Sequence, residues 1–406
     1  MPVTFRQHTA PNGLHIIAEI DPEAHSAAAG FFVKAGARDE DHPLMGVSHF
    51  LEHMMFKGTT DISADELNRR FDAMGARNNA YTSGEMTCFY AHILPERVTE
   101  ANELLSRMMR PALRQEDFDR EKGVILEEIA MYKDEPFWVL YEKTMEEYYG
   151  KHPMGHRVLG TNETINALTR DQMQGYFDHR YSADNTVVSL AGRLDFDAAA
   201  EQISTLCASW QPTRVRRDNT RPPARSTQLE LRDAKVTRAY IMGVCDGPAI
   251  DDDRRYAAVL LSQVLGAADN SRLHWALTET GIAEEVQAGY DPHDGTGDFY
   301  VYASGDPDRA DEIWSIVLRE IDGLLDSVTD EDLERLRNKL ATGVTIGGER
   351  PADRMQRLGR LWTYLGRYTT LEEELDRINR VTLADLREVA GAFPLRPVTV
   401  GRLLPA

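Results

Sequence analysis

Two stretches far apart in this chain read alike, and their recurrence constrains the fold more than any single residue does. The strand-like run Ala27 to Val33 is followed by a long helical pattern, and the run Arg238 to Val244 repeats that arrangement. Late in each half, Ile165 to Asp171 parallels Ile378 to Asp385, and each leads into a strand, Thr186 to Leu190 and Pro397 to Val400. In both late segments a threonine, Thr169 or Thr382, stands at an N-cap position before an amphipathic run. Between the halves lies Gln211 to Arg225, rich in proline and polar residues and nearly devoid of apolar ones, which reads as a linker. The expected organisation is a first half over residues 1–210, a linker over 211–227 and a homologous second half over 228–406. The length suits two domains of about 200 residues. Each half mixes strands with several helices, so the expected class is α+β, a mainly antiparallel sheet with helices packed on one face. Arg214, Arg216, Arg217, Arg221 and Arg225 of the linker read as solvated spacer residues, with docking to an acidic face as the lesser option.

The chemistry is concentrated in His49-Phe50-Leu51-Glu52-His53, inside an apolar run of Val47, Phe50, Leu51, Met54, Met55 and Phe56. On a helix, a spacing of four places both imidazoles on one face, with Glu52 beside them. Two neutral imidazoles converging on a point are what a tetrahedral zinc takes from one helix. A carboxylate that does not bind the metal can accept a proton from the water such a metal activates. The order H-x-x-E-H is the inverzincin signature. A third ligand is required, and the helical segment Arg120 to Ile129 offers carboxylates. Glu121 and Glu128 are seven residues apart and project from one face, whereas Glu127 is rotated away from it.

These residues, with Met54-Met55-Phe56-Lys57-Gly58-Thr59 and the pair Glu121 and Glu128, resemble the pitrilysin-type zinc peptidases. Within them the chain is most similar to the processing-peptidase branch, the relatives of the mitochondrial processing peptidase. The resemblance implies one zinc ion per chain, held by His49, His53 and Glu128, with Glu52 as general base. It places Glu121 in the catalytic machinery as the acid that orients a ligand from behind. It makes residues 1–210 the zinc-binding catalytic half and 228–406 a homologous half without metal.

Asn78 to Thr87 matches the family's strand beside the metal, and its Tyr, Thr and Phe content suits a strand running on through Tyr90. In relatives a peptide pairs with the exposed edge of this strand, a mode in which backbone hydrogen bonds give affinity without reading much sequence. The resemblance therefore implies backbone contacts to substrate at Asn79 and Ala80. His152 and His156 lie in a matching loop and read as loop histidines, not ligands.

A net charge of −20 argues against nucleic acid and anionic membranes as partners. No stretch approaches the roughly 20 apolar residues of a membrane-spanning helix. The segment Met1 to His8 lacks the features of a signal or transit peptide, and the fold is expected to start at once with a first strand at Gly13 to Ile17. Cys88, Cys207 and Cys245 are scattered and read as small buried residues. Together these imply a cytoplasmic bacterial protein.

Catalytic members of the family generally carry an Arg and a Tyr seven residues apart in the second half, which hold substrate and stabilise the oxyanion. Anchored on Gly281, those positions are Leu277 and Glu284 here. Neither donates to an oxyanion at neutral pH, and loss of one such donor costs roughly 10²–10³ in turnover. The pair comes from a partner subunit, is replaced by neighbours such as Arg272, Tyr290 or Arg350, or is lacking in a weakly active homodimer. The expected partners are a peptide substrate and a second chain, either a copy or a related Arg/Tyr-bearing subunit. The reading is a zinc metalloendopeptidase acting on short or unfolded peptides bound as an added strand. The alternative is a non-catalytic assembly subunit of the same fold, like the core proteins of the respiratory chain.

Overall fold

A computed structural model describes residues 3–223 and 225–406; Met1, Pro2 and the linker residue Ala224 lie outside the described residues. The chain forms two compact units. One comprises the stretch ending at Ala130, His156–Arg217 and Ile346–Tyr368; the other comprises Met131–Gly155, Asp218–Thr345 and Thr369–Ala406.

The first unit is built on a six-stranded sheet of β1 (Thr4–Thr9), β2 (His15–Ile20), β3 (Ala27–Val33), β4 (Arg77–Thr82), β5 (Thr87–Ile93) and β6 (Thr186–Gly192). The order across the sheet is β1-β2-β6-β3-β5-β4, parallel at β2–β6 and antiparallel elsewhere. All seven residues of β3 are buried, because both faces of the sheet are covered. The main helical layer packs on one face through Phe31, Phe89, Leu104 and their neighbours. A single helix, Pro351–Leu365, closes the other face through Met355 and Leu358 against Ile17, Ala28 and Phe32. It approaches closely because both surfaces carry glycine: a Cβ at Gly359 would sit 2.1 Å from the Phe32 ring. The buried Glu19 carboxylate holds this helix, accepting from Arg354 at 3.1 Å and Arg357 at 2.5 Å, with Tyr368 at 3.0 Å.

The second unit holds β7 (Thr227–Asp233), β8 (Ala239–Gly247), β9 (Glu285–Pro292), β10 (Gly297–Gly305) and β11 (Thr399–Pro405), in the order β7-β11-β8-β10-β9. Strand for strand this matches β2-β6-β3-β5-β4, including the one parallel pair, β7–β11. The repeats thus form two homologous α+β halves, each a mainly antiparallel sheet. Here too one face carries the larger helical core, while the helix Pro136–Tyr149 lies on the other through Leu140 and Met145 against Met242 and Val244. Thr169 and Thr382 cap their helices as expected, each accepting from a backbone N–H three residues on.

Three local expectations are corrected. A strand precedes the expected first one: β1 pairs with β2 from Thr4 to Thr9. The run from Asn78 does not continue to Tyr90 but folds back as a hairpin. Ser83 makes the turn, its N–H and Oγ both donating to Met86 O while Oγ accepts from the Glu85 and Met86 amides. Arg217 is not a solvated spacer: its side chain is 4% exposed and meets Asp39 at 2.6 Å.

Candidate metal centre

The motif helix spans Val47–Met55, with Val47, Phe50, Leu51, Met54 and Met55 buried at helical spacing. His49, Glu52 and His53 fall on the remaining face. The helix starts at Gly46, whose φ of +96° is a left-handed conformation; a Cβ there would lie 2.6 Å from Leu159 O. The buried Glu40 carboxylate accepts from the amides of Gly46 and Ser48, each at 2.7 Å, satisfying N–H groups that the helix start leaves free. Burial pushes the Glu40 carboxyl up to about 8, against those two hydrogen bonds.

The second helix of the site spans Gln115–Tyr132 and buries Phe118, Glu121, Ile125 and Ile129. That stripe places Glu121 on the inward face, with Glu128 two turns on at its half-buried flank. Phe118 stacks on Phe50 of the motif helix with ring centroids 4.7 Å apart, which fixes one helix against the other.

The two helices bring one donor atom each from His49, His53 and Glu128 to within 4.8 Å of one another, the one such cluster among the described residues. Glu128 Oε2 lies 3.8 Å from His49 Nε2 and 3.7 Å from His53 Nε2. A tetrahedral ion with bonds of about 2.0–2.2 Å sets its donors roughly 3.3–3.6 Å apart, so this set is nearly at coordinating spacing. Two imidazoles and a carboxylate are the donor chemistry zinc takes, and the residues fit the metal. Glu127 is exposed and outside the cluster; His152 and His156, both half-buried, lie outside it too. His152 Nδ1 accepts from the Met154 amide, and His156 Nδ1 meets Ala37 O at 3.2 Å.

The two rings are held differently. His53 Nδ1 meets Glu121 Oε1 at 2.9 Å, and Lys57 Nζ holds the other Glu121 oxygen at 2.6 Å. Burial disfavours charge on His53, but the Glu121 bond and the carboxylates of Glu128, Glu121 and Glu52 carry its pKa upward. Glu121 itself is lowered: burial opposes its charge, and His53 and Lys57 outweigh burial. His49 is held by packing, its buried Nδ1 having no hydrogen-bond partner among the described residues. Burial, then the neighbouring His53, lowers the His49 pKa to about 4, so the ring is neutral and free to donate a lone pair at physiological pH.

Glu52 is raised above the usual carboxylate range by burial, moderated by a hydrogen bond from Thr82 and by His53. A shift in that direction moves a base toward neutrality, where it both takes and returns a proton. Asn79 and Ala80 lie on β4, the edge strand of the sheet, and the Ala80 N–H donates to Asn79 Oδ1 at 2.9 Å. Sequence reasoning did not single out Glu40, Lys57 or Thr82; Lys57, four residues after His53, was the one within reach of helical spacing.

In the second unit, Leu277 is fully buried in a π-helical turn, His274–Thr278. Glu284 pairs with Arg238 at 2.6 Å. Arg272 donates to Asp332, and Tyr290 OH donates to Pro248 O.

Comparison with known proteins decides the family. Residues 15–162 match the family described as insulinase (peptidase family M16), and residues 167–340 match the peptidase M16 inactive domain. An uncharacterized zinc protease of Streptomyces coelicolor is 32% identical over 95% of this chain and 86% of its own. The chain belongs to peptidase family M16. The uncharacterized zinc protease YmxG of Bacillus subtilis is 29% identical, with 95% of each chain covered. The M16 fold recurs in a protease from Helicobacter pylori, with a TM-score of 0.92 at 19% identity over the whole of both chains. It recurs also in a chain of complex III2 from Candida albicans, with a TM-score of 0.85 at 17% identity over 98% of this chain and 95% of that one. Among the described residues no helix is long and apolar enough to cross a membrane.

Proposed function

We propose that this M16 chain is a zinc metalloendopeptidase hydrolysing short or unfolded peptides bound as a strand added to β4. One observation carries the reading: His49, His53 and Glu128 converge on one point with the raised carboxyl of Glu52 beside them. The zinc-protease names of its relatives support it.

His49, His53 and Glu128 would hold one zinc ion. When bound, zinc supplies Lewis acidity, making a water more acidic and the scissile carbonyl more electrophilic. Glu52 takes a proton from the attacking water and returns it to the leaving amine. Glu121 keeps His53 in the tautomer that presents Nε2 to the centre. The edge of β4 binds the peptide by its backbone, the incoming strand replacing Asn79 Oδ1 at the Ala80 N–H. With Leu277 and Glu284 at the Arg and Tyr positions, the oxyanion donors come from a related Arg/Tyr-bearing subunit, or are lacking in a weakly active homodimer. A cytoplasmic bacterial location accompanies this reading.

The test is Glu52→Gln in the purified protein. The variant is expected to keep one equivalent of zinc and lose cleavage of an unstructured peptide by at least 10²-fold. Normal cleavage by that variant removes Glu52 as the base. Recurrence of the fold in complex III2 favours, as the second reading, a non-catalytic assembly subunit. Less than about a tenth of an equivalent of zinc after purification without chelators selects that alternative.

A further inference from the structure

We propose that Thr82 is a positioning residue for Glu52, a role that rests on the peptidase reading above. Thr82 is the last residue of β4, and its Oγ1 donates to Glu52 Oε2 at 2.6 Å. Among the described residues this is the side-chain hydrogen bond that reaches the Glu52 carboxylate. A glutamate has three rotatable bonds, and Glu52 leaves the motif helix on the face away from the core. Without a tether its carboxylate samples several staggered arrangements, of which one serves proton transfer. The bond from Thr82 selects that arrangement and leaves Oε1 to take and return the proton.

Three features make Thr82 suited to this. Its branched Cβ stiffens χ1, so the hydroxyl direction is set before Glu52 arrives. The turn that follows is locked by Ser83, which accepts from two amides and donates back to Met86 O. The strand is also fixed from behind: Tyr81, whose side chain projects to the opposite face, donates from OH to Gln356 Oε1 at 3.1 Å, on the helix Pro351–Leu365. Restraint therefore runs from that helix through Tyr81 and the β4 backbone to Thr82, and from Thr82 to Glu52.

The experiment uses the full-length zinc-loaded protein and an internally quenched, unstructured peptide. Thr82→Val keeps the shape and removes the hydroxyl; Thr82→Ser keeps the hydroxyl. Zinc content is read by mass spectrometry, and affinity of the metal-free protein for a fluorescein-labelled copy of the peptide by anisotropy. Thr82→Val is expected to lower kcat by about 10-fold or more, with KM, zinc content and peptide affinity unchanged. Thr82→Ser is expected to recover most of kcat. A wild-type kcat in Thr82→Val, a loss carried by KM, zinc or peptide affinity, or no recovery in Thr82→Ser each overturns the positioning role while leaving the peptidase reading intact. If the wild-type protein shows no metal-dependent cleavage, the peptidase reading fails and this role fails with it.

Discussion

Glu121 meets His53 Nδ1 at 2.9 Å from the inward stripe of a different helix, and so sets which nitrogen of that ring faces Glu128. A buried carboxylate behind a ligand imidazole fixes tautomer and ring orientation and raises the basicity of the ligating nitrogen. Glu121→Ala removes that anchor and leaves Lys57 Nζ without its 2.6 Å partner. Zinc affinity is expected to fall about 10–100-fold, measured by competition with a chelating dye. Unchanged affinity means the acid has no part in holding the ligand.

The His49 ring supplies a pH signature. Its folded pKa of about 4 lies below the unfolded value of about 6.5, so the unfolded chain binds the proton more readily. The stabilisation from keeping this ring neutral is present above pH 6.5 and is lost as pH falls through 6.5 toward 4. Its full extent is up to about 3 kcal/mol. Because other carboxyls titrate in the same window, the measurement is a difference: urea unfolding of metal-free wild type against His49→Leu between pH 4 and 7. The wild type is expected to lose more stability on acidification than the variant does. Parallel curves sink the assignment.

Gly46 is required by backbone geometry, not by chemistry. Its φ of +96° and the approach of Leu159 O to 2.6 Å from a built Cβ leave no room for a side chain. Gly46→Ala is expected to cost about 1–3 kcal/mol, seen as a lower melting temperature of the metal-free protein. Since Gly46 also donates its amide to Glu40 and starts the motif helix, zinc affinity is expected to fall with it. A stable variant with normal zinc binding contradicts the strain argument.

Chelation links the site to stability. A ligand that binds only the folded state at 100 times its dissociation constant stabilises by about 2.7 kcal/mol. Removing zinc with a chelator is expected to lower the melting temperature and abolish cleavage, with both restored by one equivalent of zinc. A chelator that leaves melting and cleavage untouched removes zinc from the reading.

The parts of this site readable in the sequence are those carried by local helical periodicity. His49, Glu52 and His53 share a turn, and Glu121 and Glu128 share a helix face, so spacing alone groups each set. The two-half architecture was legible for a similar reason, since β3 and β8 carry matching apolar runs. What periodicity does not encode is long-range pairing. Thr82 reaches Glu52 across 30 positions, and Arg217 reaches Asp39 across 178. The helix Pro351–Leu365 packs on a sheet whose strands all lie before residue 193, guided by glycines at Gly30 and Gly359 that look unremarkable in sequence. The hairpin after Thr82 was overlooked because the β-favouring residues on either side outweighed the brief turn signal of Ser83-Gly84.

The Arg and Tyr positions give the last prediction, because the structure treats them unequally. Leu277 is fully exposed to neighbours and not at all to solvent, packed in the core of the second unit within a π-helical turn. Leu277→Arg would bury an unpaired guanidinium there, at an expected cost of about 3 kcal/mol or more. Glu284 is half exposed and its ion pair to Arg238 lies at the surface, so Glu284→Tyr is expected to cost less than about 1 kcal/mol. Urea denaturation of the two single variants checks this directly. Equal, small costs would mean that the turn at His274–Thr278 readily turns residue 277 outward and that one substitution can rebuild the donor within the chain. A large cost at residue 277 alone makes the core incompatible with the arginine, so that donor has to come from elsewhere. Specific activity of the wild type is then expected to rise on addition of a related Arg/Tyr-bearing chain.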